Sequence, residues 1–322
     1  MEKGMKYLKG AVTLAVATVL LGVIAGDAAR IRERLGGSSL VSALVAQREK
    51  VKSKARAVTL NQLMPSAEDF RSLLEGGPSD PGKIRDCIVY YEKVAEYMPQ
   101  SAEAYGVLGY LYDRRGDVQR ATFLLEKALG MQQRFLPFHY NRGVLAYRHG
   151  RFAEAEQSFA DAVAVPFSEN LSFVVSSRLY VPLFVDLPEK EKWLVLRLKD
   201  GYRQSYLMMI QSRYHRKDYS GMMRAAADAI AAGFDQGGEF YYFAGIAAQG
   251  MNDPREAVKA FEQAIKRDPS WADPYERMTE SLRALGEKDD VLRQFTAQAE
   301  VLKKAGTPNP KGQEPSLDLR IF

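Results

Sequence analysis

The chain has a single cysteine among its 322 residues, Cys87, so no internal disulfide can form. Cys87 falls at a small-residue position between two expected helices and reads as a buried small hydrophobe. There are only three histidines. His139, His149 and His215 have no spacing that makes a metal set or a catalytic pair. No Walker loop, dinucleotide glycine fingerprint or nucleophile elbow is present. The glycine pairs at 36–37, 76–77 and 237–238 read as turns. The acid pairs Asp113 and Asp117, and Asp289 and Asp290, fall at helix ends and read as solvated. No metal, no cofactor and no enzymatic activity is expected. The net charge of +5 is too small to argue for nucleic acid, and no aromatic-basic motif accompanies it.

Only one stretch is apolar enough for a membrane. Gly10–Gly26 carries no charge and follows Lys3, Lys6 and Lys9. It lies at the short edge of what spans a bilayer, about 17–25 residues. Arg30, Arg32 and Arg34 follow at once, which disfavours export and cleavage. Residues 1–27 are therefore read as an uncleaved single-pass anchor, against a signal peptide or a buried helix. The expected location is a bacterial inner membrane with the bulk of the chain in the periplasm, the cytoplasm being the alternative. Residues 28–67 read as a helical connector, basic toward its end. Residues 306–322, rich in proline, glycine and charge, read as a flexible tail with an apolar end.

What is present in quantity is a repeat. The stretch starting at Ala102 recurs from Leu136 at a spacing of 34 residues: Gly109 becomes Gly143, Gly116 becomes Gly150, Ala121 becomes Ala155 and Ala128 becomes Ala162. Each unit holds two helix-period apolar patterns split by a Gly-Asp or Gly-Arg turn. Small residues recur at the eighth position, and large ones such as Leu125, Phe159 and Phe261 at the twenty-fourth. Tyr105, Leu108 and Tyr112 fill the space between.

This pattern resembles the tetratricopeptide repeat family. The resemblance implies an all-α fold, a right-handed solenoid of about seven helix-turn-helix units over 68–305, and the uncharged run Gly10–Gly26 places a single N-terminal transmembrane helix before it. Units are expected near Glu68, Ala102, Leu136, Asn170, Gln204, Gly238 and Ala272, with the one near Gln204 fitting best one residue earlier. The slot at 170–203 is either a degenerate repeat or an irregular insertion, because it is rich in β-branched and aromatic residues and is interrupted by Pro182. Asp186 and Glu189 suggest a capping box for its second half.

The same resemblance implies a concave face lined by the first helix of each unit. Carried over by position, it holds Tyr110 and Arg114, then Tyr140, Asn141, Val144, Tyr147 and Arg148. Val174, Val175 and Leu179 would follow, then Met208, Ser212 and Arg216. Tyr242, Phe243 and Ile246, then Glu276, Arg277 and Arg283, complete it. Tyrosine and arginine are good binding anchors, and such a groove suits a peptide or a helix of a protein partner. The alternative is that tight packing or the chain's own tail fills the face. Asn141 matches one asparagine of the carboxylate clamp known in the family, but Gly106 and Tyr110 stand where lysine and asparagine belong, so no chaperone-tail receptor is expected.

The functional expectation is a membrane-anchored scaffold that binds protein partners through this groove in assembly of an envelope complex. The alternatives are a structural subunit fixed in a large complex or homo-oligomer, and a periplasmic holder of unfolded clients.

Overall fold

The computed structural model describes residues 81–177, 179–180, 189–234 and 236–305. All belong to one unit, Leu63–Phe322. The expected anchor, the connector, the Pro182 break and the C-terminal tail lie outside the described residues. Among the described residues no helix is long and apolar enough to cross a membrane.

The described residues form twelve helices and no strand. They are α1 (Pro81–Tyr97), α2 (Ala102–Arg114), α3 (Val118–Met131), α4 (Leu136–Arg148), α5 (Phe152–Ala164) and α6 (Phe167–Ser176). There follow α7 (Lys190–His215), α8 (Tyr219–Ala231), α9 (Glu239–Gly250), α10 (Pro254–Arg267), α11 (Ala272–Ala284) and α12 (Asp289–Lys304). Helices α2 and α3, α4 and α5, α9 and α10, and α11 and α12 pack as consecutive pairs; α3 rests on α4, α5 on α7 and α10 on α11.

Local chemistry sets each pair. The Ser101 hydroxyl accepts the Ala104 N–H at 3.2 Å and starts α2. Asp117, Asp218 and Asp253 each cap the second helix of their pair by accepting a backbone N–H three residues on. Between paired helices the chain needs one residue at positive φ. Gly116, Gly150 and Gly286 supply it at φ 85, 70 and 79. Lys217 and Asn252 occupy the same place at φ 57 and 58. An L side chain is strained there, so Lys217→Gly is expected to raise stability by about 0.5–1 kcal/mol. A urea midpoint unchanged or lowered in that variant would refute the strain.

The repeated small and large positions prove to be partners. A Cβ on Gly109 would sit 2.7 Å from Leu125 Cγ, one on Gly143 2.6 Å from Phe159 Cε1, and one on Gly245 2.4 Å from Phe261 Cε1. In each pair the glycine lets the first helix approach the ring or branched side chain of the second. Cys87, on α1, is buried and unbridged.

The slot at 170–203 departs from pair geometry. Helix α6 ends at Ser176, and what would be the end of this slot continues into the first helix of the next as the 26-residue α7. The junction carries no proline and no cap. Its one breaker, Gly201, stays helical and packs on Leu136, whose Cδ2 would lie 3.1 Å from an added Cβ. Glu189 sits at the N-cap itself, at φ 53 and with no side-chain cap hydrogen bond to the first turn, rather than three residues into a capping box; Asp186 lies outside the described residues. Helix α7 packs directly on α5, so the stack passes from the Leu136 pair to the pair α7–α8.

Candidate protein-binding face

Helices α2 and α4 are buried around nearly their whole circumference. In α2, Ala102 and every residue from Ala104 to Tyr112 are buried. In α4, so are Leu136 to Phe138, Tyr140, Asn141 and Gly143 to Tyr147. A helix that buries only one stripe would leave polar positions on the other side. Here part of the inner side is covered by the segment that follows α5. Phe173 of α6 lies 4.6 Å from Phe135, and Tyr180 stacks on Phe135 at 5.7 Å. Phe138 joins them edge-on and presses on Gly106, where a Cβ would be 2.0 Å from its ring. Tyr180 is fully buried. Burial pushes its phenol well above the usual tyrosine range, and Glu103 of α2 and Tyr91 of α1 add to the rise.

The expected groove residues therefore divide into two groups. Tyr110, Tyr140, Asn141, Tyr147 and Met208 are buried. Tyr140, Tyr147 and Met208 belong to one core cluster with Phe159. The Tyr147 hydroxyl meets Gln211 Oε1 at 3.2 Å and His215 Nε2 at 2.9 Å, and Phe152 stacks on the His215 ring at 4.4 Å. Arg148 reaches back to Asp113 at 2.6 Å, so Asp113 is held between units rather than solvated. Asp117 is a cap, while Asp289 and Asp290 are exposed in the first turn of α12. Arg216 pairs with Glu156, which also accepts from Arg213 Nε at 2.9 Å. Arg114 is half-buried. In this half, what position alone marks as a binding surface is mostly interior or engaged in ion pairs.

The second group lies on α9 and α11. Tyr242, Phe243 and Arg277 are each half-buried. The Tyr242 ring rests 4.5 Å from Trp271 and 5.6 Å from Phe243. Arg277 pairs with Glu280 at 3.1 Å and lies beside the Tyr242 hydroxyl. Burial raises the Tyr242 phenol, and the Arg277 contact partly offsets it. Gln249 fixes the backbone between them by donating to the Arg277 carbonyl at 3.0 Å and to Ser281 Oγ at 2.9 Å. The result is an aromatic shelf edged by one guanidinium, with Glu276 and Lys303 paired beyond it.

Position-by-position carry-over did not point to Trp271, Gln249, Phe173 or Tyr180. Trp271 was visible as an apolar residue directly before the Ala272 unit. Phe173 and Tyr180 lie in the slot where the register fails, and no repeat position could assign them. His139 is half-buried, with Nε2 2.6 Å from the Gln133 carbonyl oxygen, and burial lowers its affinity for a proton. Among the described residues no group of three or more side chains could hold a metal ion.

Models of the tetratricopeptide repeat match residues 102–135 and 238–270, and residues 123–169. No curated protein matches the chain. Similar solved structures include YrrB, described as a TPR protein with an unusual peptide-binding site, at 13% identity over 66% of this chain and 92% of that one, with a TM-score of 0.48. PilW, a widely conserved type IV pilus biogenesis factor, is similar at 15% identity over 77% of this chain and 99% of that one, TM-score 0.47. MamA 41-end from Desulfovibrio magneticus RS-1 shares 14% identity over 64% of this chain and 97% of its own, TM-score 0.46. The chain carries tetratricopeptide repeats, recognisable in its sequence at 102–169 and 238–270 and folded there as packed helix pairs.

Proposed function

We propose that the chain is a non-enzymatic, membrane-anchored scaffold that binds a protein partner during assembly of a bacterial envelope complex. The partner would sit on the inner face of α9 and α11. The observation that carries this reading is the contrast between the two halves. The inner sides of α2 and α4 are closed, whereas Tyr242, Phe243 and Arg277 keep part of their surface open on adjacent first helices. Aromatic and arginine side chains in that setting are the usual energetic anchors of a protein contact. The anchor rests on the uncharged run Gly10–Gly26, and the periplasmic placement on the lysines before it.

Pull-down of the full chain from solubilised membranes should recover a stoichiometric protein. Tyr242→Ala with Arg277→Ala should release it, while Tyr147→Phe, in the closed half, should not. Retention of the partner by the double variant would defeat the proposed face. Protease access in intact spheroplasts tests the compartment separately. A fixed structural subunit is the second reading, favoured by Phe123, which is 66% exposed on α3. Under that reading Phe123→Asp, rather than the double variant, should break the complex.

A further inference from the structure

A cavity of about 540 Å³ opens where the end of α3, the start of α4 and the end of α5 meet. His139, in the first turn of α4, lines it with a side chain that is only 12% exposed. Its Nε2 lies 2.6 Å from the Gln133 carbonyl oxygen. A carbonyl can only accept, so Nε2 carries the proton and Nδ1 is left as a bare acceptor. Nδ1 is buried and has no hydrogen-bond partner among the described residues. It stands 3.8 Å from Asp161 Oδ2 of α5. Two acceptors thus face one another with no hydrogen between them.

A second proton on the ring finds little to hold it there. Asp161 already accepts from Arg142 Nη2 at 2.9 Å and from Gln157 Nε2 at 2.8 Å. Arg142, also on α4, is itself a cation in the same site, with its Nε on Ser158 Oγ at 3.0 Å. Glu126 of α3 lies 3.8 Å from Arg142 and is taken up by that charge. Arg134 lines the cavity too, paired with Glu169 of α6 at 2.7 Å. Burial is the largest influence on the ring and lowers its affinity for a proton. Arg142 lowers it further, while the Gln133 bond, Asp161 and Glu126 work the other way. In an opened site the ring meets water and regains the ordinary histidine value of 6.5. The open form then binds the proton better. The closed form is therefore fully favoured above that pH and loses ground as pH falls below it.

Residues 132–135 link α3 to α4, and the link carries Phe135. Phe173 and Tyr180 of the fold-back segment rest on that ring at 4.6 and 5.7 Å. We propose that His139 is an acid-released latch: its protonation swings the ring into the cavity, frees the Gln133 carbonyl and loosens the segment that covers the inner sides of α2 and α4. The latch stands whether or not a partner binds α9 and α11.

Amide hydrogen exchange of the full chain at pH 7 and pH 5 tests this, each time against His139→Gln at the same pH, so that the intrinsic pH dependence of exchange cancels. Glutamine keeps an N–H for the Gln133 carbonyl and takes up no proton. Between pH 7 and pH 5 the parent-to-variant ratio of exchange rates should rise about threefold or more across residues 132–139 and α6, and stay constant in α9 and α10. An unchanged ratio, a fall at pH 5, or a rise at 132–139 that leaves α6 untouched would overturn the proposal. If the variant does not fold, the parent gives a second reading. Its His139 imidazole resonance should titrate below pH 6.5, and a midpoint at or above that value would overturn the proposal as well.

Discussion

Replacing Phe159 with alanine is expected to destabilise the repeats by about 3–5 kcal/mol, the cost of removing a large, fully buried side chain. Phe159 is completely buried and lies 5.4 Å from Tyr140 across the α4–α5 pair. Its ring fills the hollow that Gly143 leaves, with Cε1 2.6 Å from where a Cβ would stand. It also belongs to the cluster that joins α4 and α5 to α7, α8 and α9 through Met208, Met222 and Phe240. The cavity left behind would be walled by helices already held on their far sides, so little collapse can refill it. Because neighbouring repeats stabilise one another in series, the loss should be concentrated in the pairs flanking α5. Urea unfolding would read the total. Amide hydrogen exchange should show α4, α5 and α7 losing protection well before α11 and α12. Phe123→Ala is the control, since that ring is exposed. A Phe159→Ala midpoint shift no larger than the control's would show that this ring does not hold the stack.

The same residue shows why the fold was readable. Gly143 and Phe159 recur as Gly109 with Leu125 and Gly245 with Phe261, so each contact is written more than once in the sequence. A repeated small residue opposite a repeated large one is a statement about two helices touching. Turn glycines at 116, 150 and 286 add the second periodic signal. Where the register blurs, legibility ends. The junction inside α7 has neither proline nor a capping side chain to mark it, so 34-residue stepping placed a unit boundary in the middle of a continuous helix.

The candidate face was legible only as an orientation. Repeat position says which side of a first helix points inward, and it did so for Tyr140 and for Tyr242 alike. It does not say whether another segment lies on that side. Tyr180 and Phe173 are distant in the repeat count from α2, yet they pack at the starts of the first helices because an aromatic-rich stretch must bury its rings somewhere.

Asn170→Ala should cost about 2–6 kcal/mol, because it orphans two buried polar groups at roughly 1–3 kcal/mol each. Asn170 is completely buried at the foot of α6. Helix α4 has no cap of its own, since Phe135 stands at its N-cap without a side-chain bond. Asn170 Oδ1 supplies the cap from outside by accepting the Leu136 N–H at 2.8 Å. Its Nδ2 donates to the Tyr202 hydroxyl at 2.7 Å, and that hydroxyl donates to the Val165 carbonyl oxygen. Burial is the main reason the Tyr202 phenol is pushed up to about 12, so it remains a donor across the ordinary pH range. One amide thus ties the start of α4 and the end of α5 to α7. Alanine would leave the Leu136 N–H without its acceptor and the Tyr202 oxygen without its donor. Asn170→Asp should recover part of the loss, since a carboxylate still accepts at a helix N-terminus but cannot donate to Tyr202. Ser176→Ala, which removes only a local bond at the exposed end of the same helix, serves as the reference. Equal urea midpoints for Asn170→Ala and Ser176→Ala would mean that the fold-back of α6 adds nothing to the stability of the stack. The expected order, alanine at 170 lowest, aspartate between and the Ser176 variant near the parent, would show that this segment is fastened down by a buried polar relay and does not merely lie on an apolar surface.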